Sequence, residues 1–250
     1  MTLAPERPVD DPDDLARMTL VEHLAELRTR LIRSALALAV GAAGGFVIAN
    51  RVLSFLVDPY CEAKEGDECA LVVIDPLEGF TTRVKIALFV GGVVAAPVVL
   101  WQLWRFVTPA LHKNEKRYAI PFILSSMVLF VGGAGLAVLT FPRALDFLIS
   151  IGGPDLVPLF SPSKYLNLYL KVVLAFGVAF EFPILLVFLQ LARILNPRQL
   201  RRARRGMIVG IVVFAAVITP SQDPITLLAM AVPMYVLFEV AIVIGKLFKR

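Results

Sequence analysis

The sequence predicts an all-α polytopic membrane protein with six transmembrane helices, and three observations predict it. Of its 250 residues, 58% are hydrophobic and only 18% charged. The mean hydropathy is +0.78. The apolar residues fall in long blocks, separated by short clusters of charge and proline. A chain of this composition has too little polar surface to cover a water-soluble domain. Apolar blocks of about 20 residues, coiled into a helix, match the roughly 30 Å hydrocarbon core of a bilayer.

Residues 1–18 are expected to be a disordered tail. Asp10, Asp11, Asp13 and Asp14 alternate with Pro5, Pro8 and Pro12, with no helix or strand period. The tail has no cationic region joined to a short apolar core, so it does not read as a removable signal peptide. Residues 19–248 form a single six-helix domain. Leu20, Leu24, Leu27 and Leu31 share one face of a short amphipathic helix, expected at the membrane surface. It leads into a first span at 34–57 and a polar loop at 58–76. The second span, 77–106, contains Pro97, and the basic loop 108–117 carries one acid, Glu115. The third helix, 118–150, is longer than the bilayer, so its end beyond Pro142 is expected to bend and project.

A loop at 152–162 precedes the fourth span at 172–192. The densest basic run follows, from Arg193 to Arg205. The last two spans are short, 206–219 and 224–238, and reach only about 21–23 Å at the helical rise. A locally thin bilayer, or shielding by other helices, would accommodate them. Six spans place both termini on one side. That side and its helix ends hold 18 of the 25 Lys and Arg residues, against 7 on the other. By the positive-inside rule both termini are cytoplasmic. The net charge of +5 is then a topology signal with some lipid contact, and no nucleic-acid partner is implied.

One carboxylate stands out. Glu181 is the only ionisable side chain between Val172 and Ala192, about halfway along a span. A charged acid there costs at least about 2.5 kcal/mol, so it must face protein or water, or carry a proton. Two readings stay open: a neutral acid joining two helices by a hydrogen bond, or a functional group, including the ion or proton relay of a secondary transporter or channel. Against the transporter, the chain has no internal repeat and no matching pair of broken helices.

Enzyme signatures fail. The chain has two histidines, His23 and His112, and no H-E-x-x-H, nucleophile elbow, phosphate loop or dinucleotide glycine motif. No cofactor or metal is implied. Cys61 and Cys69 flank Gly66 in the outer loop; a disulfide is permitted there, as are two free thiols. Glu26 can pair with Arg30 at i,i+4 on its own helix. Beside an apolar helix face, and with Glu115 on a neighbouring loop, it could also accept guanidinium groups.

Four motifs then carry a resemblance. His23-Leu-Ala-Glu26-Leu-Arg28, the run from Ala96-Pro97 through Trp104-Arg-Phe106 to Pro109, Phe176-Gly177 to Glu181-Phe-Pro183, and Thr219-Pro220 with Pro233 to Glu239 resemble the TatC family of the twin-arginine protein translocase. The similarity runs from about Thr19 to Phe248. It implies a curved, concave bundle in a bacterial-type cytoplasmic membrane. It also implies a receptor for folded proteins bearing twin-arginine signal peptides, driven by the proton-motive force. Glu26 and Glu115 would meet the arginine pair, supported by Leu24, Arg28 and Phe106. Glu181 would contact single-span partner subunits of the TatA and TatB type, with self-association in a larger complex. Pro59, Phe80 and Asp223 match positions of importance in the outer loops. The turn before Asp223 is one residue longer than in many family members, and the Cys61/Cys69 loop is not part of the family pattern.

Overall fold

A computed structural model describes residues 20–63, 71–107, 119–153, 160–219 and 223–247. The tail 1–18, Glu115 and Cys69 lie outside the described residues. Among the described residues the chain is all helical: α1 (Leu20–Ala63), α2 (Glu78–Val107), α3 (Ala119–Ser150), α4 (Pro162–Ala179), α5 (Phe182–Leu191), α6 (Pro197–Arg202), α7 (Arg204–Ile218) and α8 (Pro224–Leu247). Five stretches are long and apolar enough to cross a membrane: Val21–Asp58, Glu78–Phe106, Ile120–Ser150, Pro162–Leu191 and Pro224–Leu247.

The amphipathic segment is not a separate surface helix. It forms the first turns of α1, a single helix of 44 residues. No glycine or proline interrupts residues 20–40, so nothing breaks the backbone ladder between the two expected pieces. At its other end α1 continues to Ala63 through the expected loop. Tyr60 is fully buried there and packs edge-on to Phe160, at 5.6 Å between centroids.

Helices α1 and α2 pack along much of their length through small residues. A Cβ on Gly91 would lie 2.5 Å from the backbone nitrogen of Ala42, and one on Gly41 would lie 2.9 Å from the carbonyl of Gly91. With Gly45 against Ala87, this spacing lets two backbones meet without a side chain between them, a common device where helices associate in lipid.

The fourth span is broken. Pro183 has no N–H to give to the carbonyl of Ala179, and α4 stops at Ala179 before α5 starts at Phe182. Together they form the central stave. Tyr165, Tyr169, Phe176 and Phe180 are buried, with Tyr169 4.4 Å from Phe141 of α3 between ring centroids. Helix α5 packs on α8, where the Gln190 side chain donates to the carbonyl of Ala241 at 3.1 Å. Gly245 lies opposite, where a Cβ would strike Gln190 Oε1 and force that side chain to move.

Helix α7 has 15 residues, about 22 Å long, as expected of a short fifth span. The sixth helix corrects its expectation. It runs through Glu239 to Leu247, 24 residues in all. Glu239 does not end it because Arg204 of α7 pairs with its carboxylate at 2.6 Å and the Tyr235 hydroxyl donates to it at 3.2 Å.

Candidate functional site

The structure separates the predicted site residues into two carboxylate sites and a set of structural contacts. The first site lies where α1 begins and α2 ends. Residues 23, 26 and 30 share one stripe of α1, and this stripe faces α2. The His23 ring stacks on Phe106 at 4.3 Å. Arg30 donates from Nε to Glu26 Oε1 at 3.0 Å, adds a second bond from its terminal nitrogen to the same oxygen, and reaches Gln102 Oε1 of α2 at 3.4 Å. Both side chains of the pair are largely covered, with 13% of Arg30 and 21% of Glu26 exposed. Glu26 Oε2 is buried and has no donor among the described residues.

Glu26 and Arg30 line a cleft of about 370 Å³ together with Ala25, Thr29, Arg33 and Arg105. Three guanidinium groups therefore surround one described carboxylate. Phe106 belongs to this site through His23. Leu24 and Arg28 do not: they lie on the opposite face of α1, with Leu24 64% exposed and Arg28 exposed. Leu27 and Leu31 are exposed beside them, so α1 turns its polar stripe toward α2 and its apolar stripe outward. In a lipid environment this is the low-energy orientation, since polar groups then satisfy each other inside the protein.

The second site is the break between α4 and α5, where Glu181 occupies the junction. The Ser126 hydroxyl of α3 donates to Glu181 Oε2 at 2.5 Å, and Trp104 Nε1 of α2 donates to Ser126 Oγ at 2.8 Å. Phe122 holds the Trp104 ring edge-on at 4.5 Å. Glu181 Oε1 is buried and has no donor among the described residues. The sequence pointed to Glu181 but not to Ser126 or Trp104. The available signal was a serine inside an apolar span, without any indication of what it would face.

The residues expected in outer loops have separate roles. Asp223 is buried and caps α8: Thr226 N–H donates to its Oδ1 at 2.7 Å and the Thr226 hydroxyl to its Oδ2 at 2.5 Å, a helix N-cap. Phe80 is 62% exposed on α2. Pro59 lies within the last turns of α1. Cys61 is disulfide-bonded. Glu78 is a buried carboxylate that sequence reasoning missed. It accepts from Ile74 N–H and Ser163 N–H, both at 3.0 Å, and so ties the start of α2 to the start of α4. No group of metal-ligating side chains occurs among the described residues.

The comparisons with known proteins agree with this architecture. The family profile for the Sec-independent protein translocase protein TatC matches residues 22–233. The chain is 42% identical over 236 residues to the Sec-independent protein translocase protein TatC of Aquifex aeolicus, covering 93% of this chain and 97% of that one. To the protein of the same name from Frankia casuarinae it is 41% identical over 245 residues, covering 94% of this chain and 67% of that one. A crystal structure titled as the twin arginine translocase receptor TatC superposes with a TM-score of 0.75 at 41% identity, covering 92% of this chain and all of that one. A multi-pass helical membrane protein with this match along nearly its whole length is a Sec-independent protein translocase, and the chain belongs to the TatC family.

Proposed function

We propose that the chain is the receptor subunit of a twin-arginine translocase and that the Glu26 cleft binds the arginine pair of a signal peptide. The observation that carries this reading is the state of the Glu26 carboxylate: Arg30 holds one oxygen in place, and the other is buried without a donor among the described residues. A carboxylate oxygen kept from water and left unpartnered is a costly arrangement, and an incoming guanidinium would relieve it.

The same cleft explains why two acids are needed. Arg30, Arg33 and Arg105 outnumber Glu26, so a second carboxylate would reduce the positive excess against which two more guanidinium groups must enter. Glu115, in the segment joining α2 to α3, is the acid that the sequence offers. One carboxylate binds one guanidinium fork well, so the pair of acids matches the pair of arginines. With the Lys and Arg bias placing both termini in the cytoplasm, the cleft opens on the side from which cargo arrives.

Glu181 serves a different step. Its vacant oxygen would accept a polar group from a single-span partner subunit packing beside α4 and α5, while the proton-motive force drives passage of the folded cargo. The relay reading of a transporter is disfavoured by the donor chain itself. Trp104 donates through an indole N–H that cannot accept a proton in return, so the path from Ser126 ends there.

The test is crosslinking of a twin-arginine peptide to the purified full-length chain, with a Lys-Lys peptide as control. Strong labelling by the arginine peptide that falls in Glu26→Gln and Glu115→Gln is the expected outcome. Equal labelling by the Lys-Lys peptide, or none lost in either variant, would overturn the assignment.

A further inference from the structure

An apolar groove of about 470 Å³ runs between α3, α5 and α8, bounded by Phe122, Pro183, Leu191, Leu237, Val240 and Leu247. It follows α5 from Pro183 to Leu191 and α8 from Leu237 to Leu247, which at the helical rise is about 12–15 Å. That is half of a roughly 30 Å hydrocarbon core, one leaflet deep. A membrane-spanning partner helix would need a contact surface twice as long.

From the Leu191 end of the groove the chain leads into a basic cluster. Past Leu191 the chain turns at Arg193, which sits in the left-handed region with a φ of 60°, and α6 then packs against α8. Pro197 and Leu200 are buried and anchor α6. Its exposed side, Arg198, Gln199, Arg201 and Arg202, lines a recess of about 490 Å³. Lys246, exposed in the last turn of α8, stands beside Leu247 at the same end. Arg204 is neutralised by Glu239, but Arg198, Arg201 and Arg202 have no carboxylate partner among the described residues.

From these two features together we infer that the chain carries a binding site for an anionic glycerophospholipid, its phosphate headgroup on the α6 arginines and an acyl chain in the α3–α5–α8 groove. Charge decides the lipid class: three guanidinium groups with no carboxylate partner among the described residues, on the helix that follows the groove in the chain, favour a net-negative headgroup over a zwitterionic one. Depth decides the source: a soluble phosphate has no use for an apolar trough one leaflet long.

Native mass spectrometry of the delipidated full-length chain tests this with phosphatidylglycerol and phosphatidylcholine of identical acyl chains. Wild type should retain phosphatidylglycerol preferentially. The triple variant R198Q/R201Q/R202Q should lose about a hundredfold of that preference, and Val240→Trp, which fills the trough at an exposed position, should weaken retention of both lipids. Equal retention of the two lipids by wild type, an unchanged preference in the triple variant, or competition by glycerol phosphate as strong as by the lipid would each overturn the site. Should the triple variant unfold, the Val240→Trp result decides alone. A photoreactive side chain at position 240 in native membranes should label lipid; labelling of a protein partner instead would assign the groove to a helix and contradict the proposal.

Discussion

In its most hydrophobic stretch helix α1 has only 6% of residues buried inside the chain, although it packs on α2, whereas the α4–α5 stave has 61%. The two carboxylates follow this contrast. Glu26 sits on the exposed helix and Glu181 in the enclosed one, and each has one oxygen satisfied within the chain and one buried without a donor among the described residues. The donors differ. A guanidinium holds Glu26 and a neutral hydroxyl holds Glu181. A carboxylate set among charges at the aqueous end of a helix pair is suited to a cationic ligand. One held by a hydroxyl within an apolar stave is suited to a hydrogen bond from a neighbouring helix. On the proposed reading the same side chain would serve recognition at one site and assembly at the other, with its neighbours deciding which.

The contrast breaks most severely if α1 loses its seat on α2. Gly91→Leu forces a side chain into the backbone of Ala42, and thermal unfolding in detergent should show a loss of about 3 kcal/mol together with loss of peptide binding. Full retention of both would mean that α1 is not positioned by that contact. Next in size, Ser126→Ala removes the donor to Glu181 and the acceptor of Trp104. A cost of about 1–2 kcal/mol is expected by the same measurement, with peptide affinity unchanged. Lost peptide binding at full stability would erase the division between the two sites.

A smaller effect separates geometry from charge at Asp223. Asp223→Ala should cost about 1 kcal/mol by removing the cap of α8, and Asp223→Asn should restore most of it, since both side chains cap well. If Asn proved as costly as Ala, the charge would matter and not the cap. The smallest effect is expected at the outward stripe. Leu24→Gln, at a position 64% exposed, should leave unfolding within about 0.5 kcal/mol of wild type. A larger shift would place Leu24 in a contact within the chain.

Much of this fold is legible in the sequence, because hydrophobic length is a local property. The second span was expected at 77–106 and α2 is Glu78–Val107; the third was expected at 118–150 and α3 is Ala119–Ser150. What escaped depends on partners distant in the chain. Tyr60 extends α1 by packing on Phe160, and Arg204 lets α8 continue through Glu239. The break at Glu181 was readable from Pro183, since a missing N–H is a local fact, but the span was read by its hydropathy alone. For the candidate sites, Glu26 and Glu181 stand out as single residues. Their settings do not, because Gln102, Ser126 and Trp104 join them only across helix packing. Leu24 and Arg28 join Glu26 only through the family resemblance, and helical geometry turns them to the other face of α1.

The most direct measurement is a calorimetric titration of one twin-arginine peptide into the full-length chain in lipid nanodiscs, with Glu26→Gln and Glu181→Gln run side by side. Loss of a hydrogen bond to a charged partner should weaken binding to Glu26→Gln by about ten- to a hundredfold. Glu181→Gln, remote from the cleft, should stay within about twofold of wild type. Equal weakening in both variants, or weakening confined to Glu181→Gln, would contradict the separation of recognition from assembly.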